Sequence, residues 1–564
     1  MTVAEYLVDF LIKKGVTDVF GIPGGVVLEL MYAFESRPEI EAHIGYHEQA
    51  SSFAACGYAQ VSHQLGVAYA TRGPGFTNMI TGIADAYSDS IPVLFITAHA
   101  GKRVGNSLRF EQDQEMDTVT MVKNITNYAT VIDTVEDVVD KIHNAYDAAM
   151  NGRKGPVLLD VSSDIWTKEI VETKEKQNVN VIEYIGEGVD WTILENCLFS
   201  AKRPLMLVGD GVRQAGVMEE VTLLSEKWGV PVISSRCAQD VGSRCRNYYG
   251  YIGSHGIRYS SFIFEKADVV VVLGNRLSFP ITSESYLQAL KNKTVFWIDC
   301  DSRELKREIP NTIKINMDLK YAIEQLLLMQ SEIHNLGDWV EVCETIKKNL
   351  LAEDCNQAVD DIVSMLQVLN EGQVLTSDVG NNEFWLSRAY EMVGCKNRIL
   401  YSKSFGVLGC SIPKAIGTYY ATKKPVVCFV GDQGLQLNIQ EMQFVATTQL
   451  PIVICVLNNE SSGMIKDREL VRYRGKLVHT TKESGYVALN VQKISMAYGI
   501  KYIDYHTIRK DELKVLLDRI TSPLIIEMKI DEGIGLTPSL PKGRPMQMFV
   551  PDLSAERYIK LDSL

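Results

Sequence analysis

The residues best suited to chemistry lie in the stretch Val426 to Met464, VVCFVGDQGLQLNIQEMQFVATTQLPIVICVLNNESSGM. An apolar run breaks at Gly431-Asp432, a helical pattern follows, and a second apolar run ends in Asn458-Asn459. Asp432 and Asn459 stand 27 positions apart, which suits one helical crossover between parallel strands and puts both tips on one sheet edge. A carboxylate, an amide oxygen and a backbone carbonyl form a hard-oxygen set suited to Mg²⁺. Gly431 and Gly434 allow a tight turn with outward N–H groups, and a helix start favours an anion there. Together these features describe a diphosphate site bridged by a divalent cation. The plain alternative is a helix cap at Asp432 and a simple turn at the Asn pair.

A second candidate is Glu48 in YHEQASSFAACGYAQ, after a short apolar strand and at the start of a helix of small residues. The plain reading is a capping glutamate. Further on, ATRGPGFTNMITGIADAYSDSIPVLFITA supplies a Gly-Pro-Gly turn, a helix and a strand. A Gly-rich turn alone says little.

These residues need strands that end in turns, and the chain supplies them in three blocks. VTDVFG, LGVAYAT, IPVLFITAHA and GPVLLDVSSD fall in the first; PLMLVGDGV, PVISSR, ADVVVVLGNRL and KTVFWIDCD in the second; QVLTSDVG, KPVVCFVGDQG, PIVICVLNN and PLIIEMKI in the third. Short apolar runs separated by helical patterns argue parallel sheets covered on both faces. The expected class is α/β, with three consecutive doubly wound parallel-sheet domains at residues 1–172, 185–335 and 360–532. Charged helical stretches near 172–190 and 335–360 read as linkers. The tail, 533–564, shows little periodicity and could fold over an open site. In such sheets ligands sit at the C-terminal strand ends.

Bulk properties narrow the classes. Net charge is -13 over 564 residues, which argues against a general nucleic-acid surface. The eleven cysteines show no CxxC or zinc-like spacing and read as reduced thiols. MTVAEYLVDFLIKKG is an amphipathic helix interrupted by charges, unlike a signal peptide, and no apolar run reaches membrane-spanning length. The expectation is a cytoplasmic protein without membrane partners.

VFGIPGG, HEQAS, GPGFTNMITGIADAYSDSIP, SIPKAIG and GDQGLQLNIQE…LNN occur in one order and spacing. With them the chain resembles the thiamine-diphosphate-dependent enzymes of the acetolactate synthase and pyruvate decarboxylase superfamily, closest to the acetolactate synthase catalytic subunits. The resemblance runs almost end to end. It implies pyrimidine-binding, central and diphosphate-binding domains, with thiamine diphosphate and Mg²⁺ as cofactors. Glu48 is then the glutamate that hydrogen-bonds the aminopyrimidine ring, and it should be partly desolvated. Asp432, Asn459 and the Ser461 carbonyl hold Mg²⁺. Gly434 and Leu435 offer backbone N–H groups to the diphosphate, beside Gly431 and Gln433. Asn381 and Asn382 match a Gln-His pair near it, Leu408 a bulky apolar residue under the bent cofactor, Met464 the pyrimidine pocket, and Gly24 a cofactor-side turn. The resemblance also implies a homodimer or homotetramer, with Glu48 of one chain facing the metal motif of another.

Several positions depart from the pattern. Gln433 replaces a glycine and implies either a strained φ or an altered turn. Arg468 stands where the relatives carry a Trp, and Arg72 interrupts their TSGPG turn. Two arginines at pocket positions suggest a more anionic acceptor, unless each points to solvent or pairs with an acid such as Asp467 or Glu469. In SLRFEQDQEMDTV, either Phe110 or Gln114-Glu115 matches the donor-pocket segment. LGNRLSFPITSESY replaces the acidic flavin-holding stretch, so FAD is possible but not favoured. The expected reaction is decarboxylation of a 2-oxoacid and ligation to an acceptor carbonyl, the simplest case being two pyruvates giving 2-acetolactate and CO₂. The alternatives are a simple decarboxylase, against which the single His99 counts, and a non-catalytic relative.

Overall fold

The computed structural model describes residues 1–101, 113–170, 189–253, 255–278, 283–329 and 336–564. Three six-stranded sheets follow one another along the chain. The first holds β1 (Asp18–Gly21), β2 (Glu41–Ile44), β3 (Gly66–Tyr69), β4 (Val93–His99), β5 (Tyr128–Ile132) and β6 (Val157–Ser162). The second holds β7 (Pro204–Val208), β8 (Val232–Ser235), β9 (Tyr248–Ile252), β10 (Val269–Leu273), β11 (Thr294–Asp299) and β12 (Thr312–Asn316). The third holds β13 (Leu375–Ser377), β14 (Ile399–Leu400), β15 (Val426–Gly431), β16 (Ile452–Asn458), β17 (Lys501–Asp504) and β18 (Leu524–Lys529). Neighbouring strands pair in parallel throughout. The α/β class with three parallel-sheet domains is what the apolar runs imply.

Strand order separates the domains by kind. The first sheet runs β2-β1-β3-β4-β6-β5 and the third repeats that order as β14-β13-β15-β16-β18-β17. The second runs β12-β11-β10-β7-β8-β9, the dinucleotide-fold order read from its far edge. Side chains on both faces of the central strands are buried: β4 and β16 carry no exposed residue over seven positions each.

The first and third domains share a core. The Glu48–Ser62 helix lies on the Ser411–Thr422 helix, with Ala54, Ala55 and Tyr58 in one apolar cluster with Ile412, Ala415 and Ile416. Gly57 and Gly417 permit the contact, because a Cβ on either would run into a facing backbone carbonyl, of Lys414 and Ala54 respectively.

The stretch near 335–360 is helical, but it is packed rather than free. In the Gly337–Leu350 helix, Trp339, Cys343, Ile346 and Leu350 enter the core of the central domain. Most of the stretch near 172–190 falls outside the described residues. The tail is docked on the body of the chain. Arg388 binds the carbonyls of Thr537 and Pro538, Met546 enters the central core, and the Ala555–Asp562 helix buries Leu561 there. All eleven cysteines are free, and among the described residues no helix is long and apolar enough to cross a membrane.

Candidate active site

β15 and β16 pair in register from Val426↔Ile452 to Gly431↔Leu457, so Asp432 and Asn459 leave adjacent strand ends on one edge. A cavity of about 120 Å³ opens there. Gly431, Asp432, Gln433 and Gly434 line one side, Asn459, Ser461 and Met464 another, and Asn381, Asn382 and Leu408 a third. Residues drawn from four separate stretches of sequence therefore meet in one concavity. Leu435 does not line it; its side chain is fully buried in the shared core. Gly24 lies in the first domain, packed against Thr71.

Asp432 opens the six-residue helix Asp432–Leu437. Burial pushes its carboxyl up to about 6, although the Tyr486 hydroxyl donates to Oδ2 at 2.8 Å. The Asn pair divides its duties. Asn458 donates to Glu527 at 2.7 Å inside the sheet edge, and only Asn459 faces the cavity. Gln433 needs no strain: it sits exposed within the short helix and is absent from the non-glycine residues with positive φ.

Two atoms on the cavity wall test the fit of a ligand. Ser461 Oγ and Asn381 Oδ1 are buried without a hydrogen-bond partner, a state that native interiors rarely leave uncorrected. With the Asp432 carboxylate and the Asn459 amide they make an oxygen-rich wall of the kind a hard cation and its phosphate ligands require. The residues present fit Mg²⁺ with a diphosphate.

The loop that carries Leu408 is pinned by Asp378, which is fully buried. Its carboxylate accepts from Gly409 N at 2.9 Å, Ser411 N at 3.1 Å and Ser411 Oγ at 3.0 Å. An acid at the end of an apolar strand was the sequence signal for it, in TSDVG.

In the first domain Glu48 opens its helix, half-buried, and accepts from Asn78 Nδ2 at 2.9 Å. It does not line the cavity of its own chain. Arg72 is not a free cation: its Nη1 donates to Glu115 Oε1 at 3.0 Å, and the same oxygen accepts from Ala100 N at 2.6 Å. The acid is thus Glu115, not Asp467 or Glu469. Gln114, with φ +61°, packs against the Gly73 turn beside them. Arg468 is exposed and makes no ion pair among the described residues. It follows Met464 by one turn of the Gly463–Arg472 helix, which puts both on one face. Phe110 lies outside the described residues.

His99 is 1% exposed, with its ring nitrogens 3.0 Å from Asp160 and 2.8 Å from Asp133. Burial pulls its pKa down, but the two carboxylates outweigh burial and hold it above the usual histidine value. With both ring nitrogens held by carboxylates, the ring is closed off from a substrate.

A larger cavity, about 400 Å³, lies at the C-terminal strand edge of the central sheet between Gly209, Gly274 and Asp299. Strand-end acids in this fold hold ribose hydroxyls. Here Arg153 of the first domain spans them, at 2.5 Å from Asp299 and 3.1 Å from Asp301, and Asp299 also takes Asp301 N at 2.9 Å.

Comparison with known proteins agrees with this geometry. Family models described as the N-terminal TPP binding domain, the central domain and the C-terminal TPP binding domain of thiamine pyrophosphate enzymes match residues 1–121, 194–326 and 378–528. Three domains of one enzyme class therefore occur in their expected order. The chain is 30% identical to the acetolactate synthase large subunit of Lactococcus lactis, over 96% of this chain and 94% of that protein. It is 29% identical to a probable acetolactate synthase large subunit of Methanocaldococcus jannaschii, over 99% and 96% of the two chains. It is 28% identical to the acetolactate synthase isozyme 1 large subunit of Escherichia coli, over 96% of each. The chain belongs to the thiamine-diphosphate-dependent enzymes, in their acetolactate synthase branch.

Proposed function

We propose that the protein decarboxylates a 2-oxoacid and ligates the remaining fragment to an acceptor carbonyl, in the simplest case joining two pyruvates into 2-acetolactate with release of CO₂. The observation that carries this reading is the single cavity at the β15/β16 edge. It gathers Asp432, Asn459 and Ser461 with Asn381 and Leu408, in a chain whose relatives are named acetolactate synthase large subunits. Thiamine diphosphate supplies the electron sink for loss of CO₂ and the carbon nucleophile for ligation when bound.

The chain's own residues divide the remaining tasks. Asp432, Asn459 and the Ser461 carbonyl hold Mg²⁺, and with it the diphosphate. Gly434 and Leu435 donate backbone N–H groups to the phosphate oxygens, and Asn381 and Asn382 flank them. Leu408 and Met464 would give the cofactor apolar surface. Glu48 holds and returns a proton at its carboxyl oxygen, opposite the aminopyrimidine ring. Arg72, Gln114 and Arg468 border the substrate end.

Glu48 serves the cavity of a second copy of the chain, so a homodimer is the smallest active unit. Large apolar side chains left in solvent on both surfaces support this. Tyr32 is 69% and Tyr46 54% exposed on the first domain, and Val471 85% and Tyr473 64% on the third, side chains that a second copy would cover.

Incubation with thiamine diphosphate, Mg²⁺ and pyruvate tests the reading. Release of CO₂ with 2-acetolactate as the product is expected. Acetaldehyde as the sole organic product would exclude ligation.

A further inference from the structure

The segment that presents Glu48 is held from outside its own domain, and by the same chain. Glu441 opens the Glu441–Thr447 helix of the third domain and is 2% exposed. Its Oε1 accepts from Tyr46 N at 3.0 Å, and its carboxylate also takes the backbone N–H of His47. Both donors immediately precede Glu48. Gly45 permits the approach: a Cβ there would stand 3.3 Å from Glu441 Oε2 and 2.9 Å from Ser51 Oγ.

On the other side of Glu48, Asn438 Nδ2 lies 3.3 Å from Gln49 Oε1 and 2.8 Å from the Gly409 carbonyl. One amide therefore ties the residue after Glu48 to the residue after Leu408. Asn438 is itself fixed, accepting from Gln440 Nε2 at 3.2 Å. Within its own helix Glu48 has weaker guidance. His47 Nδ1 caps Gln49 N at 3.0 Å, and among the described residues the Glu48 carboxylate accepts from Asn78 of another helix.

We infer that Glu441, assisted by Asn438, is a positioning residue that sets where the Glu48 carboxylate points. Two successive backbone N–H groups bonded to one buried carboxylate fix the direction in which the helix starts, and the first residue of that helix is Glu48. This rests on the proposed role of Glu48 toward the cofactor. A misplacement of about 1 Å costs on the order of 100-fold in a positioned reaction, so the effect should be large although Glu441 touches no substrate.

The test measures deuterium exchange at C2 of thiamine diphosphate bound to the full-length protein with Mg²⁺, alongside cofactor affinity by calorimetry and amide exchange at residues 45–49. Glu441→Ala is expected to slow C2 exchange about 100-fold, to release protection at the Tyr46 and His47 amides, and to leave cofactor affinity unchanged. Glu441→Gln keeps an acceptor for Tyr46 but turns an amide N–H toward His47, and should fall between. That variant keeps the test open if the alanine form folds poorly. Wild-type C2 exchange in Glu441→Gln and Glu441→Ala, with Glu48→Gln slowed, overturns this inference alone. Wild-type exchange in Glu48→Gln overturns both it and the role of Glu48.

Discussion

Lys414 and Asp85 form an ion pair with no solvent exposure on either side chain, Nζ to Oδ2 at 2.9 Å, across the boundary between the third and first domains. Lys414 also donates to the Tyr401 carbonyl at 3.0 Å, and Ser402 Oγ donates to Asp85 at 2.5 Å. Four residues on, Asp89 accepts from Lys403 N and Ser404 N at 2.8 and 2.9 Å. The loop leading to Leu408 is thus fastened to the first domain by two acids of one helix. Lys414→Met leaves Asp85 buried and unpaired, and should cost about 3–5 kcal/mol in denaturant unfolding. Pairing it with Asp85→Asn should recover part of that loss, since the two sites are coupled.

Arg72 is neutralised by Glu115, whose side chain is only 5% exposed. Arg72→Ser strands an acid that keeps, among the described residues, the N–H of Ala100. The expected result is a loss of about 1–3 kcal/mol in stability with the range of accepted acceptors unchanged. Competition between pyruvate and a dicarboxylic 2-oxoacid measures the second part.

Arg468 contrasts with Arg72, being exposed and without an ion pair among the described residues. It shares a helix face with Met464, which lines the cavity. Arg468→Trp should shift acceptor preference toward small uncharged side chains, read as the ratio of kcat/KM values for two competing acceptors. An unaltered ratio would remove Arg468 from the substrate end.

Glu441 gives a pH-dependent stability. Burial pushes its carboxyl up to about 7 from 4.5, against the pull of the Tyr46 and His47 N–H groups. A carboxyl raised in the fold is ionised less readily there than in the unfolded chain. Its contribution is therefore full below pH 4.5 and is lost as pH climbs through 7, by on the order of 3 kcal/mol. Melting curves at pH 5 and pH 8 should differ less for Glu441→Gln than for the parent. His43, which lines the same small void beside Glu441, stays in both proteins, so the difference isolates Glu441.

The strands legible from apolar runs are the inner four of each sheet. The edges were harder. β5, β9, β12, β14 and β17 give no such run, and β2 shows only as a short strand before Glu48. Edge strands lack the cover that makes a continuous apolar run. β17 has no fully buried residue, β12 alternates, and β14 is two residues long. The site divides in the same way. Asp432, Asn459 and Asn381 announce themselves by standing at strand ends. Tyr486, which bonds Asp432, comes from a loop 54 positions away with no periodic signal. Glu441 looks like an ordinary helical acid until the fold brings the Tyr46 amide to it. Arg72 could be noticed in sequence, but its neutralising partner Glu115, 43 positions on, could not.

On the proposed reading Glu48 and the Asp432–Asn459 cavity act on one cofactor, although a single chain keeps Glu48 off that cavity's wall. Mixing two inactive variants, Glu48→Gln and Asp432→Ala, measures this directly. If each site draws Glu48 from one chain and the metal residues from the other, co-refolded or co-expressed chains regain activity in about one quarter of the sites, because half of a random mixture is heterodimer and one of its two sites is intact. If Glu48 serves the cavity of its own chain, every site in the mixture carries one defect, and the mixture stays as inactive as its parts.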